Sequence, residues 1–178
     1  RSWLKKIVEV HWLVHLGSVH NLFLQYPDDV SLFHSLRIIK SSDRKTVVVN
    51  GSGIDIGSFR VVPLPQIPQF LLIARLLGDK GVREFVEAAA MVRQQYPNVR
   101  FGLVGWIDEN PNSISEEELQ KWVEEGDIHF YGRLSDVKTA IAASSVYVLP
   151  SYYPEGTPRT ILEALAMGRP VITTNSPG

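Results

Sequence analysis

From residue 69 onward the chain alternates short, unbroken apolar runs with helix-length segments, and this alternation limits the possible folds more than any other feature. Strands are predicted at 69–74 (QFLLIA), 100–105 (RFGLVG), 127–131, 145–149 and 170–173. Between them the pattern predicts helices over 81–96, 115–125, 135–143 and 158–167, the second opening on the capping box Ser115-Glu-Glu-Glu118. A strand that is apolar along its whole length has both faces buried, which requires helices above and below the sheet. The expected fold is therefore α/β: a Rossmann-like parallel sheet covered on both faces, whose ligands bind at the carboxyl ends of its strands.

Upstream the signal is weaker. Residues 2–15 are apolar at Leu4, Ile7, Val8, Leu13 and Val14 with roughly helical period, and Trp3 and Trp12 widen that face. His11 and His15 stand four apart, but the Trp-Leu-Val between them supplies no general base, so they read as core or flank histidines rather than metal ligands. A strand at 20–25, a helix from Pro27 to about Ile39 and a β-branched strand at 46–49 follow. The run NGSGIDIG has its third glycine one residue late for a dinucleotide fingerprint, and Pro63, Pro65 and Pro68 come soon after. It reads as a turn entering an interdomain linker. The expected organisation is the end of one domain over 1–62, a linker at 63–68 and a second domain over 69–178.

Composition removes several classes of function. The 178 residues carry a formal net charge of −1 with Lys and Arg scattered, so nucleic acid is not an expected partner. The absence of cysteine excludes disulfides and thiolate metal sites and suits a reducing, cytoplasmic compartment. Lys5, Lys6 and Glu9 interrupt the first apolar stretch well before the ~20 residues a membrane span needs. With no initiating methionine and no clear cleavage site, the chain reads as the middle of a longer protein.

Three loops at the expected carboxyl ends carry chemistry. In ARLLGDKG (74–81), Arg75 and Lys80 flank a turn before a helix, a setting suited to a diphosphate; a solvated arginine and a lysine paired with Asp79 would fit the same residues. In HFYGRLSD (129–136), Gly132 allows close backbone approach, and a nucleobase could bond the main chain around Arg133 and Leu134, although by itself this stretch fits a plain strand-to-helix turn better. In PEGTPRTILEALAMG (154–168), Thr157 is expected as N-cap and Pro158 as first helical residue, leaving Glu155 outside the helix. Ile161, Leu162 and Leu165 would form the buried stripe with Glu163 at its flank. Glu163 then suits a ribose diol and Glu155 the hydroxyls of a sugar, while the amides of Gly156 and Thr157 could donate to an anion.

Together these residues resemble the retaining glycosyltransferases of family four. Their E-x7-E motif stands here as Glu155 to Glu163, with VYVLPS before it and ALAMGRPVITT after it in register. Their arginine and lysine after the first strand of the C-terminal domain match Arg75 and Lys80, and Tyr131-Gly132-Arg133 matches a third turn. The similarity covers residues 46–178, and FLQYPDDVSLF looks like the end of an N-terminal domain. NGSGID is longer than the corresponding family turn.

The resemblance implies a GT-B fold with its donor site between two Rossmann-like domains, and transfer of a hexose or N-acetylhexosamine from a UDP- or GDP-sugar to an acceptor hydroxyl with retention. Glu163 inherits the contact to ribose and Glu155 the contact to the donor sugar, while Arg75 and Lys80 stabilise the departing diphosphate. No metal or cofactor beyond the donor substrate is implied. The EGTPR variant looks most like enzymes of capsule, O-antigen or lipid-linked glycan synthesis, whose N-terminal domain implies a peripheral contact with the inner face of a membrane. Since most of that domain is missing from the sequence, this piece alone is expected to bind donor but not to transfer.

Two other readings share the same residues: a GT-B sugar-nucleotide epimerase and a non-catalytic sugar-nucleotide-binding module. A glycosidase using the two glutamates as acid and nucleophile is disfavoured, because a cationic loop serves a diphosphate and contributes little to hydrolysis.

Overall fold

The computed structural model describes residues 2–16, 19–25, 27–39, 46–49, 51–153 and 156–176. Two compact units emerge: one formed by residues 1–53 with 155–157 and 177–178, the other by 54–154 and 158–176.

In the first unit, helix α1 (Ser2–Leu16) precedes strand β1 (Leu22–Leu24), helix α2 (Pro27–Ser35) and strand β2 (Thr46–Val48). β1 and β2 pair in parallel, Leu22 opposite Thr46. Asp28 and Asp29 lie in the first turn of α2, where carboxylates complement the helix dipole. That helix ends at Ser35, four residues before the predicted limit, as the Ser35 hydroxyl turns back onto the Leu32 carbonyl at 2.7 Å. On α1, His11 and His15 are both exposed, and the His15 ring nitrogen contacts its own helix at the His11 carbonyl, 2.9 Å away.

The second unit is the alternating α/β array. Its strands are β3 (Gln69–Ile73), β4 (Arg100–Val104), β5 (His129–Phe130), β6 (Val146–Leu149) and β7 (Val171–Thr173). Its helices are α3 (Val82–Gln95), α4 (Glu116–Glu124), α5 (Lys138–Ala142) and α6 (Arg159–Ala166). The strands form one sheet in the order β5-β4-β3-β6-β7, and every pairing is parallel. β3 is central because its residues are buried on both faces: Leu72 joins Val82, Phe85 and Phe101 in one cluster, while Leu71 and Ile73 join Tyr147, Leu149 and Ala164 in the other.

The NGSGIDIG segment starts no α-helix. Residues 56–58 make a single 3-10 turn capped by Asp55, whose carboxylate accepts from the Gly57 amide at 3.0 Å and the Ser58 hydroxyl at 2.7 Å. These bonds, led by that to Ser58, hold the Asp55 carboxyl below its ordinary pKa. The capping box forms as read, with Ser115 Oγ accepting from the Glu118 amide at 3.1 Å. Glu118 also accepts a two-pronged contact from Arg83 of α3, at 2.8 and 3.0 Å, and this neighbour is the main cause of its lowered pKa. α5 is shorter than predicted: Asp136 accepts from the Lys138 amide at 2.9 Å, keeping the preceding residues in a turn.

Arg169, immediately before β7, is the largest fully buried side chain. It donates to Ile141 and Ala142 at the end of α5, at 3.1 and 2.9 Å, and to Val62 and Pro63 at 2.9 and 3.3 Å. The segment ahead of β3 is thereby tied to the far side of the sheet. Burial lowers the Arg169 pKa from its usual value, but a guanidinium retains its charge.

Candidate functional site

Strand order reverses direction at β3. The chain passes from β3 outward to β4 and β5, then returns to place β6 on the other side. The helices that follow β3 and β6 therefore pack on opposite faces of the sheet, and the carboxyl ends of two such strands are the place where sheets of this kind hold ligands.

Arg75 and Lys80 both lie in the loop after β3. That loop runs through a 3-10 turn at 78–80 and enters α3 at Gly81, whose φ of 72° lies in the left-handed region. Gly81 is needed for a second reason: a Cβ there would stand 2.3 Å from the Pro150 carbonyl oxygen, so the loops after β3 and β6 meet backbone to backbone. Main-chain bonds confirm the join, as the amides of Tyr152 and Tyr153 donate to the Asp79 carbonyl at 3.0 and 3.2 Å. Lys80 is only 7% exposed, and its Nζ lies 5.1 Å from the centroid of the Tyr153 ring. Burial takes much of the water from this ammonium, and the aromatic face offsets part of that loss.

Arg75 is not simply solvated. Its Nη1 donates to Asp108 Oδ2 at 3.1 Å, and its side chain is 43% exposed. The Asp79 carboxylate accepts from Asn112 Nδ2.

Beyond β5, Gly132 has φ 70° with open space where a Cβ would point, so the backbone conformation alone calls for glycine here. Its carbonyl accepts from the Gly105 amide at 3.0 Å, tying this turn to the end of β4. The Arg133 guanidinium sits 4.6 Å from the centroid of the Trp106 ring, while Leu134 packs into the core on the α5–α6 side.

Around α6 the sequence expectations need correction. The N-cap is Pro158, with φ −60° and ψ 128°, rather than Thr157, and the first helical residue is Arg159. No side-chain bond caps this end. Leu165 does not join the buried stripe: it is 54% exposed, and Ala164 and Met167 take the inward face with Ile161 beside them. Glu163 is 9% exposed, deeper than a flanking position implies, with Arg159 one turn earlier at 3.9 Å. Tyr147, fully buried, donates through its hydroxyl to the Ile73 carbonyl at 3.2 Å and lies 2.6 Å from Thr160 Oγ1, joining β3, β6 and α6. Gly156 and Thr157 directly precede Pro158 and group with the first unit. Glu155 lies outside the described residues.

The second unit thus brings Arg75, Lys80 and Tyr153 onto two adjoining loops, and sets Arg133 and Leu134 at the end of the neighbouring strands. A groove of about 1090 Å³ opens at the other end of the sheet, beside Gln69, Arg100 and His129. Of the described residues matched to the family motifs, only Tyr131 lines it, so topology and charge, rather than hollow volume, mark the site. Asp108, Trp106 and Tyr153 were not among the sequence candidates, although the Asn-Pro turn in WIDENPNS and the tyrosine pair before Glu155 were visible signs of an unusual loop.

With this geometry in place, the comparisons identify the class. The family model described as glycosyl transferases group 1 matches residues 67–178. The chain belongs to that family. It is 40% identical over 111 residues to the N,N'-diacetylbacillosaminyl-diphospho-undecaprenol alpha-1,3-N-acetylgalactosaminyltransferase of Campylobacter jejuni, a match spanning 62% of this chain and 27% of that protein. It is 34% identical over 106 residues to the Vi polysaccharide biosynthesis protein VipC/TviE of Salmonella typhi, covering 60% of this chain and 18% of the relative. The chain therefore spans less than a third of the length of these curated relatives. The crystal structure of Anabaena Alr3699/HepE in complex with UDP and glucose superposes with a TM-score of 0.73 at 20% identity, over 96% of this chain and 49% of that one. That likeness shows the GT-B-type α/β fold. Among the described residues, no helix is long and apolar enough to cross a membrane.

Proposed function

We propose that the protein containing this chain is a retaining glycosyltransferase that moves a hexose or N-acetylhexosamine from a nucleotide diphosphate sugar to a hydroxyl of a glycan or lipid-linked acceptor, and that residues 69–178 bind the donor. One observation carries this reading: a nearly buried lysine, Lys80, is held on the loop after β3 against Tyr153 of the loop after β6, at the strand-order reversal. A diphosphate is the ligand that a lysine and an arginine on one loop at the carboxyl end of the sheet suit best.

In this reading Arg75 and Lys80 stabilise the negative charge that grows on the diphosphate as the glycosidic bond breaks. The departing phosphate oxygen takes up the acceptor's proton on the face it leaves. Glu163 receives the ribose hydroxyls and Glu155 those of the sugar. The backbone at Gly132, Arg133 and Leu134 meets the base, and the amides of Gly156 and Thr157 donate to the phosphates. The names of the relatives support a sugar donor and a polysaccharide or undecaprenol-linked acceptor, and the UDP complex of the structural neighbour supports a nucleotide diphosphate.

Because cations occupy the place a metal would take, binding of the donor should need no metal. Saturation-transfer NMR with UDP-, GDP- and ADP-sugars should show one nucleotide class contacting the protein, with equal signals in EDTA and in magnesium. Signals that vanish in EDTA would contradict the cationic site.

A further inference from the structure

We infer that Asp108 is a positioning residue for the donor site: it holds the guanidinium of Arg75 in place for the diphosphate. The inference rests on the reading of Arg75 given above and adds a residue that the E-x7-E and Arg/Lys resemblance does not contain.

Arginine carries many rotamers, so a guanidinium left loose in water loses that freedom only when the ligand arrives. Here the ordering is built in. Asp108 Oδ2 accepts from Arg75 Nη1 at 3.1 Å, and Oδ1 accepts from the Asn110 amide at 3.0 Å, so one carboxylate fixes both the arginine and its own turn. The contact uses one guanidinium nitrogen and leaves the others for phosphate oxygens. The Asp108 amide in turn donates to Ser113 Oγ at 3.0 Å, and that hydroxyl donates to the Leu76 carbonyl at 2.9 Å.

The rest of the 106–114 loop is fastened to the same segment. Gly78 donates to the Asn112 carbonyl at 2.8 Å, Ile114 to the Leu76 carbonyl at 2.8 Å, and Leu76 to the Trp106 carbonyl at 3.0 Å. The carboxylate is thus mounted on the backbone of the cationic loop it serves. Its negative charge opposes the diphosphate, but both side chains reach solvent, at 43% and 23% exposure, where water and salt screen part of that repulsion.

The test is a double-mutant cycle in the full chain, read by calorimetric titration with UDP and with GDP. Arg75→Ala should weaken the tighter of the two by about tenfold or more. Asp108→Ala should weaken it about three- to fivefold, Asp108→Asn by less because the amide oxygen still accepts, and Asp108→Ala should cost nothing further once Arg75 is alanine. Affinity for the matching nucleoside, read by saturation-transfer NMR, should not change in any of these variants. If Arg75→Ala leaves affinity unchanged, or if neither nucleotide binds, the diphosphate reading itself fails and the role of Asp108 with it. If Arg75→Ala weakens binding while Asp108→Ala leaves it equal or tighter, the positioning role alone is overturned. A loss from Asp108→Ala that persists without Arg75, or that extends to the nucleoside, would likewise overturn it by showing a general loop defect.

Discussion

Replacing Arg169 with methionine should destabilise the α/β unit by about 3–5 kcal/mol, because each buried acceptor left unpaired costs about 1–3 kcal/mol. The guanidinium is 2% exposed and donates to four main-chain carbonyls. Methionine approximates its length but donates nothing, leaving those acceptors without their charged partner in a space water does not reach. Two of them lie at the end of α5, where a cation also complements the helix dipole, so that helix end should loosen first. Arg169→Lys should fall between, because an ammonium retains the charge but cannot span both the α5 carbonyls and those of residues 62 and 63. Denaturant unfolding of the full chain, followed by hydrogen exchange at 138–142, reads both effects. A loss below about 1 kcal/mol for Arg169→Met would contradict the four-carbonyl arrangement.

A comparable loss is expected at Gly81. Alanine there meets two penalties, the left-handed φ of 72° and a Cβ placed 2.3 Å from the Pro150 carbonyl oxygen. The first costs about 1–2 kcal/mol and the second about 1–3 kcal/mol, since backbone rather than a movable side chain stands in the way. The two loops must separate for the residue to fit, so Gly81→Ala should also disturb the Lys80–Tyr153 contact and weaken nucleotide binding beyond its effect on stability. A variant as stable and as tight in binding as the parent would mean that these loops do not touch.

How much of this was legible in the sequence differs by element. The three inner strands β3, β4 and β6 were readable because each is an apolar run largely buried, while the edge strands β5 and β7 are more exposed and were readable from the alternation around them. α4 was readable because Ser115 and Glu118 satisfy each other within one turn. Local signals report local bonds. Arg169 has partners 27 to 107 residues away in sequence, and Asp108 pairs with Arg75 across 33, distances at which no spacing rule operates. α6 failed in a different way. Helical period groups Ile161, Leu162 and Leu165 together, but the small Ala164 and the flexible Met167 pack inward and turn Leu165 out. The same rotation carries Glu163 to 9% exposure, which no count of apolar residues reveals. Proline at 158 was read as the first helical residue, yet its ψ of 128° is extended, so the helix starts one residue later. The cationic pair was legible as two residue types beside a turn; that one is nearly buried against a tyrosine and the other paired with an aspartate required the fold.

The most direct test of the donor site is calorimetric titration of UDP and GDP into the full chain and into its Lys80→Met variant, which keeps the aliphatic stem and removes the charge. The parent should bind at least one of the two, and the variant should lose ~1.5–3 kcal/mol of that affinity while its circular dichroism stays unchanged. Equal affinity in a folded Lys80→Met variant would contradict a diphosphate site at the end of β3.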